Sequence, residues 1–249
     1  MPVYRAETKF STNKAGYSAL SCVTAMAFSP LNDYIYTMQN ELIYFLDIFG
    51  TVIFAITGAV KGVRNRLDFL GVIVFAITVG CAGGMVRDCL IGATPVASFR
   101  DSSYLIACII TGAVVFFIAP WVVGRWRIIL ICDAIGLGVF TALGAQKALQ
   151  AGIGPVGQIF AGVIGAVGGG VLRDVFSKEV PAVLTSDFYA SAAIIGAALF
   201  VLMTRLNFNP RLTLTLTMIF VTVLRLCAMH WHLRLPVARM VGEERKERR

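Results

Sequence analysis

Long apolar runs alternate with short basic or glycine- and proline-bearing breaks from about residue 41 to residue 230. Most runs approach the roughly 20 residues that a helix needs to cross a bilayer. Seven such helices are predicted, over residues 42–60, 67–86, 104–123, 128–145, 156–172, 188–203 and 212–229. Lys61, Arg64 and Arg66 follow the first, and Gly83-Gly84 with Arg87-Asp88 close the second. Gly124, Arg125 and Arg127 stop the third, while Gly152, Gly154 and Pro155 turn the chain into the fifth. The alternating segments of about ten residues that mark a membrane β-barrel do not occur. The fold class read from this pattern is all-α and integral to a membrane. Residues 1–40 are polar, and their one apolar run is short and rich in Ser and Thr. They are expected to be a disordered extension, or to precede the real start of translation at Met38.

The polar positions inside the apolar runs repeat. Asp47, Gly50, Phe54, Gly58-Ala59, Lys61, Gly83-Gly84, Arg87-Asp88, Pro95 and Asp101 recur 86 residues later, without a gap (133 − 47 = 86). The second set is Asp133, Gly136, Phe140, Gly144-Ala145, Lys147, Gly169-Gly170, Arg173-Asp174, Pro181 and Asp187. So many matches of charge, Gly and Pro point to duplication. Each copy holds three spans, an odd number, so the second enters the membrane from the opposite side. The organisation predicted is two inverted three-helix repeats, residues 41–123 and 127–205, plus a seventh helix over 211–230 and a basic tail over 231–249.

Composition agrees with this pattern. Mean hydropathy is +0.78, 57% of residues are hydrophobic and 14% are charged, against about 25% charged in soluble domains. In such a chain the net charge of +8 reads as the positive-inside rule and not as nucleic-acid binding. The basic loops and tail then place the N-terminus outside and the C-terminus in the cytoplasm. Cys22, Cys81, Cys89, Cys108, Cys132 and Cys227 have no metal-ligand spacing and read as packing residues. His230 and His232 flank Trp231 and read as interfacial anchors. No cofactor, metal site or catalytic constellation is expected, so the chain is not read as an enzyme.

A charge at membrane depth costs at least a few kcal/mol and usually marks a polar path or a pair. Topology brings Asp47, Arg87-Asp88 and Lys147 to one face, and Asp133, Arg173-Asp174 and Lys61 to the other. Spans 1, 2, 4 and 5 are therefore expected to surround a path, with spans 3 and 6 facing lipid or partner subunits. Arg87 and Arg173 have two readings, a brace for the helix end or a gate in the path. Lys61 and Lys147 read as interfacial anchors more readily than as gates, and Arg225 near the end of span 7 as a snorkelling residue. The Gly157, Ala161, Gly165, Gly169 stripe reads as close helix packing. Gly83-Gly84 and Gly168-Gly169-Gly170, next to the charges, read as hinges lining the path. Thr51, Thr57, Thr78 and Thr141 have hydroxyls that either line it or bond back to their own helices.

The motif Asp-x-x-Gly-x-x-x-Phe-Ala-x-x-Gly-Ala over residues 47–59, its copy over 133–145 and the two Gly-Gly-x-x-Arg-Asp ends carry a family resemblance. The chain resembles the bacterial branch of the trimeric intracellular cation channels, also catalogued as an uncharacterised membrane family and as a glycine transporter domain. The resemblance covers about residues 41–229. It implies a seven-helix protomer, a homotrimer in the inner membrane, and an hourglass pore within each protomer. It further implies glycine-rich breaks in spans 2 and 5 that help form the pore, and potassium as the main ion. The copies differ, with Thr141 against Ala55 and Gly168 against Ala82. Two functions stay open: a passive monovalent cation channel, and a secondary carrier of a small amino acid such as glycine. A structural or regulatory subunit explains the buried charges poorly.

Overall fold

Asp68, Asp101 and Asn209 each stand just before an apolar run and accept a hydrogen bond from a backbone N–H in its first turn, satisfying a donor with no partner inside the helix. Pro155 and Pro210 open their helices, where a missing N–H costs nothing. The computed structural model describes residues 17–122, 124, 126–185 and 188–231, with side chains from residue 40 onward except those of 122 and 126. It contains α1 (Tyr17–Arg64), α2 (Phe69–Leu90), α3 (Ala97–Arg100), α4 (Ser102–Phe117), α5 (Ala119–Val122) and α6 (Trp126–Gln150). After these come α7 (Pro155–Phe176), α8 (Ala182–Thr185), α9 (Ala190–Arg205) and α10 (Pro210–His230). No strand occurs among the described residues. The chain divides into a segment before residue 43 and a compact unit from Ile43 onward, and the contacts below lie within that unit.

Five stretches are long and apolar enough to cross a membrane: Asn40–Arg64, Phe69–Leu90, Arg127–Gln150, Pro155–Phe176 and Pro210–His230. Helices α4 and α9 are apolar but only 16 residues each, about 24 Å at 1.5 Å per residue. The third span, expected to continue to residue 123, is divided at Ile118 into α4 and α5. Pro120 lies just beyond, and it cannot donate to the carbonyl four residues back. Helix α1 begins at Tyr17, upstream of the boundary drawn at residue 40. Residues 1–16, Asp187 and the basic tail lie outside the described residues.

The turns recur as the sequence does. After α1, Asn65, Arg66 and Leu67 donate to the carbonyls of Lys61, Val63 and Gly62. After α6, Ala151, Gly152 and Ile153 donate to Lys147, Leu149 and Ala148, the same pattern 86 residues on. Arg66 and Gly152 both have positive φ, as do Gly92 and Lys178 after α2 and α7. A single left-handed residue therefore ends each of these four helices.

Packing recurs as well. Phe54 of α1 and Phe140 of α6 stack with centroids 5.4 Å apart, and both are fully buried. A Cβ on Gly50 would lie 2.9 Å from the Phe140 ring, and one on Gly136 would lie 2.9 Å from the Phe54 ring. The two helices therefore run antiparallel with equivalent glycines facing equivalent rings. Helix α2 crosses α7 in the same reciprocal way. A Cβ on Gly83 would run into the Gly165 carbonyl oxygen, and one on Gly169 would lie 2.8 Å from that of Val79. Helix α6 also packs on α7 and α10, α4 on α2, and α9 on α6, α7 and α10. Outward, α4 exposes Ile106, Ile110, Val114 and Phe117, and α10 exposes Leu212, Leu216, Ile219 and Val223.

These contacts separate two adjacent glycines. Gly83 has no room for a methyl group, whereas a Cβ on Gly84 would meet nothing closer than 3.7 Å. Gly83→Ala is expected to destabilise the folded protein by about 1–3 kcal/mol through overpacking, and Gly84→Ala to stay within about 0.5 kcal/mol of the parent. Thermal unfolding of both variants in detergent checks this, and equal midpoints would remove the close crossing as the reason for Gly83.

Candidate functional site

At one end of the α1–α6 pair, four charged side chains from three helices meet. Arg87 of α2 is fully buried. It donates through Nη1 and Nη2 to the two carboxylate oxygens of Asp47 of α1, at 3.1 and 3.3 Å. Its Nε and Nη2 both lie 2.8 Å from Oδ1 of neighbouring Asp88. Lys147, in the last turn of α6, donates to Asp47 Oδ2 at 2.7 Å and lies 3.7 Å from Asp88 Oδ1. The Tyr104 hydroxyl of α4 donates to Asp47 Oδ2 at 3.1 Å, and the Ala97 N–H of α3 donates to Asp88 Oδ2 at 3.2 Å. Two carboxylates thus face two cations, and the group is electrically neutral. The Arg87 guanidinium also lies 5.7 Å from the centre of the Phe140 ring.

The second copy builds a related group. Arg173 of α7 donates through Nη1 to Asp133 of α6 at 2.7 Å and through Nε to Asp174 at 2.9 Å. Asp174 Oδ2 accepts from the Ala182 N–H of α8 at 2.8 Å. Here the copies part. Lys61, the equivalent of Lys147, pairs with Glu179, and position 93 in the first copy is alanine. Tyr189 is buried with its hydroxyl close to Gly170, and Arg225 of α10 lies over its ring at 4.8 Å. Phe54 is seven residues from both Asp47 and Lys61, and Phe140 seven from both Asp133 and Lys147. The acidic and basic ends of each helix are therefore about 21 Å apart, with the stacked rings midway.

The expected residues come together, with three changes of reading, for the glycines, the two lysines and Arg225, and with the threonines following the second of their two readings. Gly83-Gly84 and Gly168-Gly169-Gly170 do not interrupt their helices, since α2 and α7 run unbroken through them. Gly83, Gly168 and Gly169 fill the α2–α7 crossing, while Gly84 and Gly170 lie beside the charged groups. Thr51, Thr57, Thr78 and Thr141 donate to the carbonyls of Asp47, Phe54, Val74 and Leu137 in their own helices. Lys61 and Lys147 are 4% and 18% exposed and paired, so they are not lipid-interface anchors. Arg225 does not snorkel, being 4% exposed and stacked on Tyr189.

Tyr104, Tyr189, Arg225 and Glu179 were not singled out from the sequence as site residues. The two tyrosines are 85 residues apart and fall out of a gapless 86-residue register, and Arg225 lies outside both copies. Two cavities adjoin the first group. One of about 10 Å³, lined by Asp47, Gly84, Arg87, Ser98 and Tyr104 among others, is about the size of a single water. The other, about 410 Å³, is bordered by Asp88, Gly92, Pro95, Arg100, Lys147 and Gln150 among others. Among the described residues, no three or more His, Cys, Asp and Glu side chains gather to hold a metal ion. The Cys81 and Cys108 sulfurs lie 3.9 Å apart between α2 and α4.

Removing one member of a buried ion pair strands the others, a loss of about 3–5 kcal/mol. Arg87→Met is expected to cost that much, because Asp47 and Asp88 would keep one cation between them. The loss is read from unfolding in detergent. A cost under about 1 kcal/mol, the usual value of an exposed pair, would contradict the buried geometry.

A family model described as Glycine transporter matches this chain twice, over residues 44–120 and 130–205. A UPF0126 membrane protein of Vibrio cholerae is 37% identical over 202 residues, spanning 80% of this chain and 84% of its own length. The UPF0126 inner membrane protein YadS of Escherichia coli is 36% identical over 198 residues, spanning 78% and 95%. Among solved structures, the TRIC trimeric intracellular cation channel orthologue from Rhodobacter sphaeroides matches with a TM-score of 0.74 and 36% identity, covering 77% of this chain and 99% of that one. A prokaryotic TRIC channel matches with a TM-score of 0.74 and 30% identity, covering 79% and 100%. Matched by the glycine transporter family model, by UPF0126 relatives and by solved TRIC structures over both copies, the chain belongs to the bacterial TRIC family of membrane proteins.

Proposed function

We propose that the protein is a passive channel for monovalent cations, chiefly potassium, in the bacterial inner membrane, with an ion path inside each protomer of a homotrimer. The observation that carries this reading is the pair of buried charge groups at opposite ends of α1 and α6. Burying so many charges for stability alone is a poor bargain, since apolar replacements of similar volume are often as stable or more so. In a membrane helix such charges usually border a water-filled route. The path runs between α1, α2, α6 and α7, the helices that supply the carboxylates and most of the cations. Gly84 leaves room beside the first charge group, whereas at Gly170 the Tyr189 hydroxyl takes that space. Arg87 and Arg173 brace the helix ends beside the path through their ion pairs with Asp47, Asp88, Asp133 and Asp174. The fold match to TRIC channels at 30–36% identity supports both the activity and the trimer.

In this reading α4 and α9 also span, giving seven membrane helices, and the antiparallel pairing of α1 with α6 reflects inverted repeats about an axis in the membrane plane. Lys61, Arg64 and Arg66 then lie on the cytoplasmic side with the C-terminal tail, and the N-terminus lies outside. The α4 and α10 faces meet lipid or neighbouring protomers.

A glycine carrier is the second reading, supported by the family model's description and by antiparallel halves suited to alternating access. Purified protein in planar bilayers under a potassium gradient is expected to give unitary current steps, with flux far above the roughly 10³ per second of enzyme-like cycles. Saturable glycine counterflow in proteoliposomes without current steps would reverse the choice.

A further inference from the structure

Cys81 of α2 and Cys108 of α4 face each other with their sulfurs 3.9 Å apart, and both are buried. A buried cysteine commonly serves as a small apolar residue, yet packing alone does not call for a thiol here. In the second copy Val167 takes the place of Cys81, and Ala193 that of Cys108 in the register that joins Tyr104 to Tyr189. Glycines hold the two backbones close at this level. A Cβ on Gly80 would lie 2.8 Å from Cys108 Sγ, and one on Gly112 would lie 3.2 Å from Cα of Ile73. Close backbones are what a disulfide needs, since its Cα atoms lie about 4.4–6.8 Å apart. The surroundings of the two sulfurs differ. Cys81 borders the cavity of about 10 Å³ with Asp47, Arg87, Ser98 and Tyr104, and Cys108 is not among its lining residues. Cys81 is therefore the sulfur within reach of a small polar oxidant. A soft metal ion held by two thiolates would leave a net negative charge buried, whereas a disulfide is neutral.

We infer that Cys81 and Cys108 are a redox modification site, a dithiol that a hydroperoxide converts to a disulfide tying α2 to α4. Hydrogen peroxide oxidises the Cys81 thiol to a sulfenic acid, releasing water as its O–O bond breaks. The Cys108 sulfur then attacks the Cys81 sulfur, its proton leaves with the hydroxyl as a second water, and the S–S bond forms. The two sulfurs give up one electron each, and the peroxide takes both. The bond bears on the first charge group because α2 also carries Arg87 and α4 carries Tyr104, both hydrogen-bonded to Asp47. Fixing these helices holds Asp47 to its partners and slows cation passage. That consequence rests on the channel reading, and the disulfide itself does not.

The test uses the full chain carrying Cys22→Ser, Cys89→Ser, Cys132→Ser and Cys227→Ser, checked for parental elution in detergent, so that only the pair remains. Hydrogen peroxide is expected to remove both free thiols with a mass loss of two hydrogens. Digestion is expected to give one peptide pair joined through Cys81 and Cys108, from a chain that runs as a monomer on a non-reducing gel. A further Cys108→Ser change leaves Cys81 as a sulfenic acid that dimedone traps, and Cys81→Ser in its place abolishes dimedone labelling. In planar bilayers, peroxide is expected to lower the current of the paired protein and dithiothreitol to restore it, while the Cys108→Ser protein keeps its current. Thiols that survive peroxide, or that advance to sulfinic acid without the joined peptides, overturn the inference. Joined peptides with unchanged current overturn the restraint on the charge group and leave the modification site standing. No current from the reduced protein overturns the channel reading, and the mass measurement still decides the disulfide.

Discussion

Arg87 is surrounded by protein on all sides, and its guanidinium is shared between Asp47 on another helix and Asp88 beside it. Few arrangements make a buried cation tolerable, because desolvation costs several kcal/mol per ion unless hydrogen bonds and opposite charge compensate. The requirement fixes much else. Helix α1 must bring Asp47 to the end of α2, α6 must end where Lys147 reaches the same carboxylate, and α4 must present Tyr104. Small residues let the helices come near enough. Gly50 and Gly136 admit the facing rings, and Gly83, Gly165 and Gly169 bring the α2 and α7 backbones together.

The same requirement is met twice and closed differently. In the first group a lysine from α6 supplies the second cation and touches a cavity. In the second, Tyr189 and Arg225 stack where α9 and α10 meet the repeat, and Lys61 is turned to Glu179. A duplicated helix triplet thus yields two ends closed by different partners.

Much of this was legible in the chain. The 86-residue register placed Asp47 with Arg87-Asp88 and Lys147, and Asp133 with Arg173-Asp174, because opposite charges in apolar helices have few partners available. The glycines were harder to read. A Gly-Gly pair beside charges looks alike whether it bends a helix or admits another backbone, and only the α2–α7 crossing separates Gly83 from Gly84. Likewise the sequence leaves both readings of the hydroxyls at Thr51, Thr57 and Thr141 open, and only the structure shows them bonded to carbonyls of their own helices. Tyr104 and Tyr189 escaped notice because one residue of slippage before α9 breaks the register, and Arg225 because span 7 lies outside it.

The central claim is that these buried charge groups border a route for cations and not for anions or neutral solutes. The reversal potential of single-protein currents in a tenfold potassium chloride gradient tests it most directly. The account predicts reversal near the potassium equilibrium potential, about 59 mV in magnitude for a one-electron-charge tenfold ratio and of the sign set by cation movement. Reversal near zero or on the chloride side would contradict it.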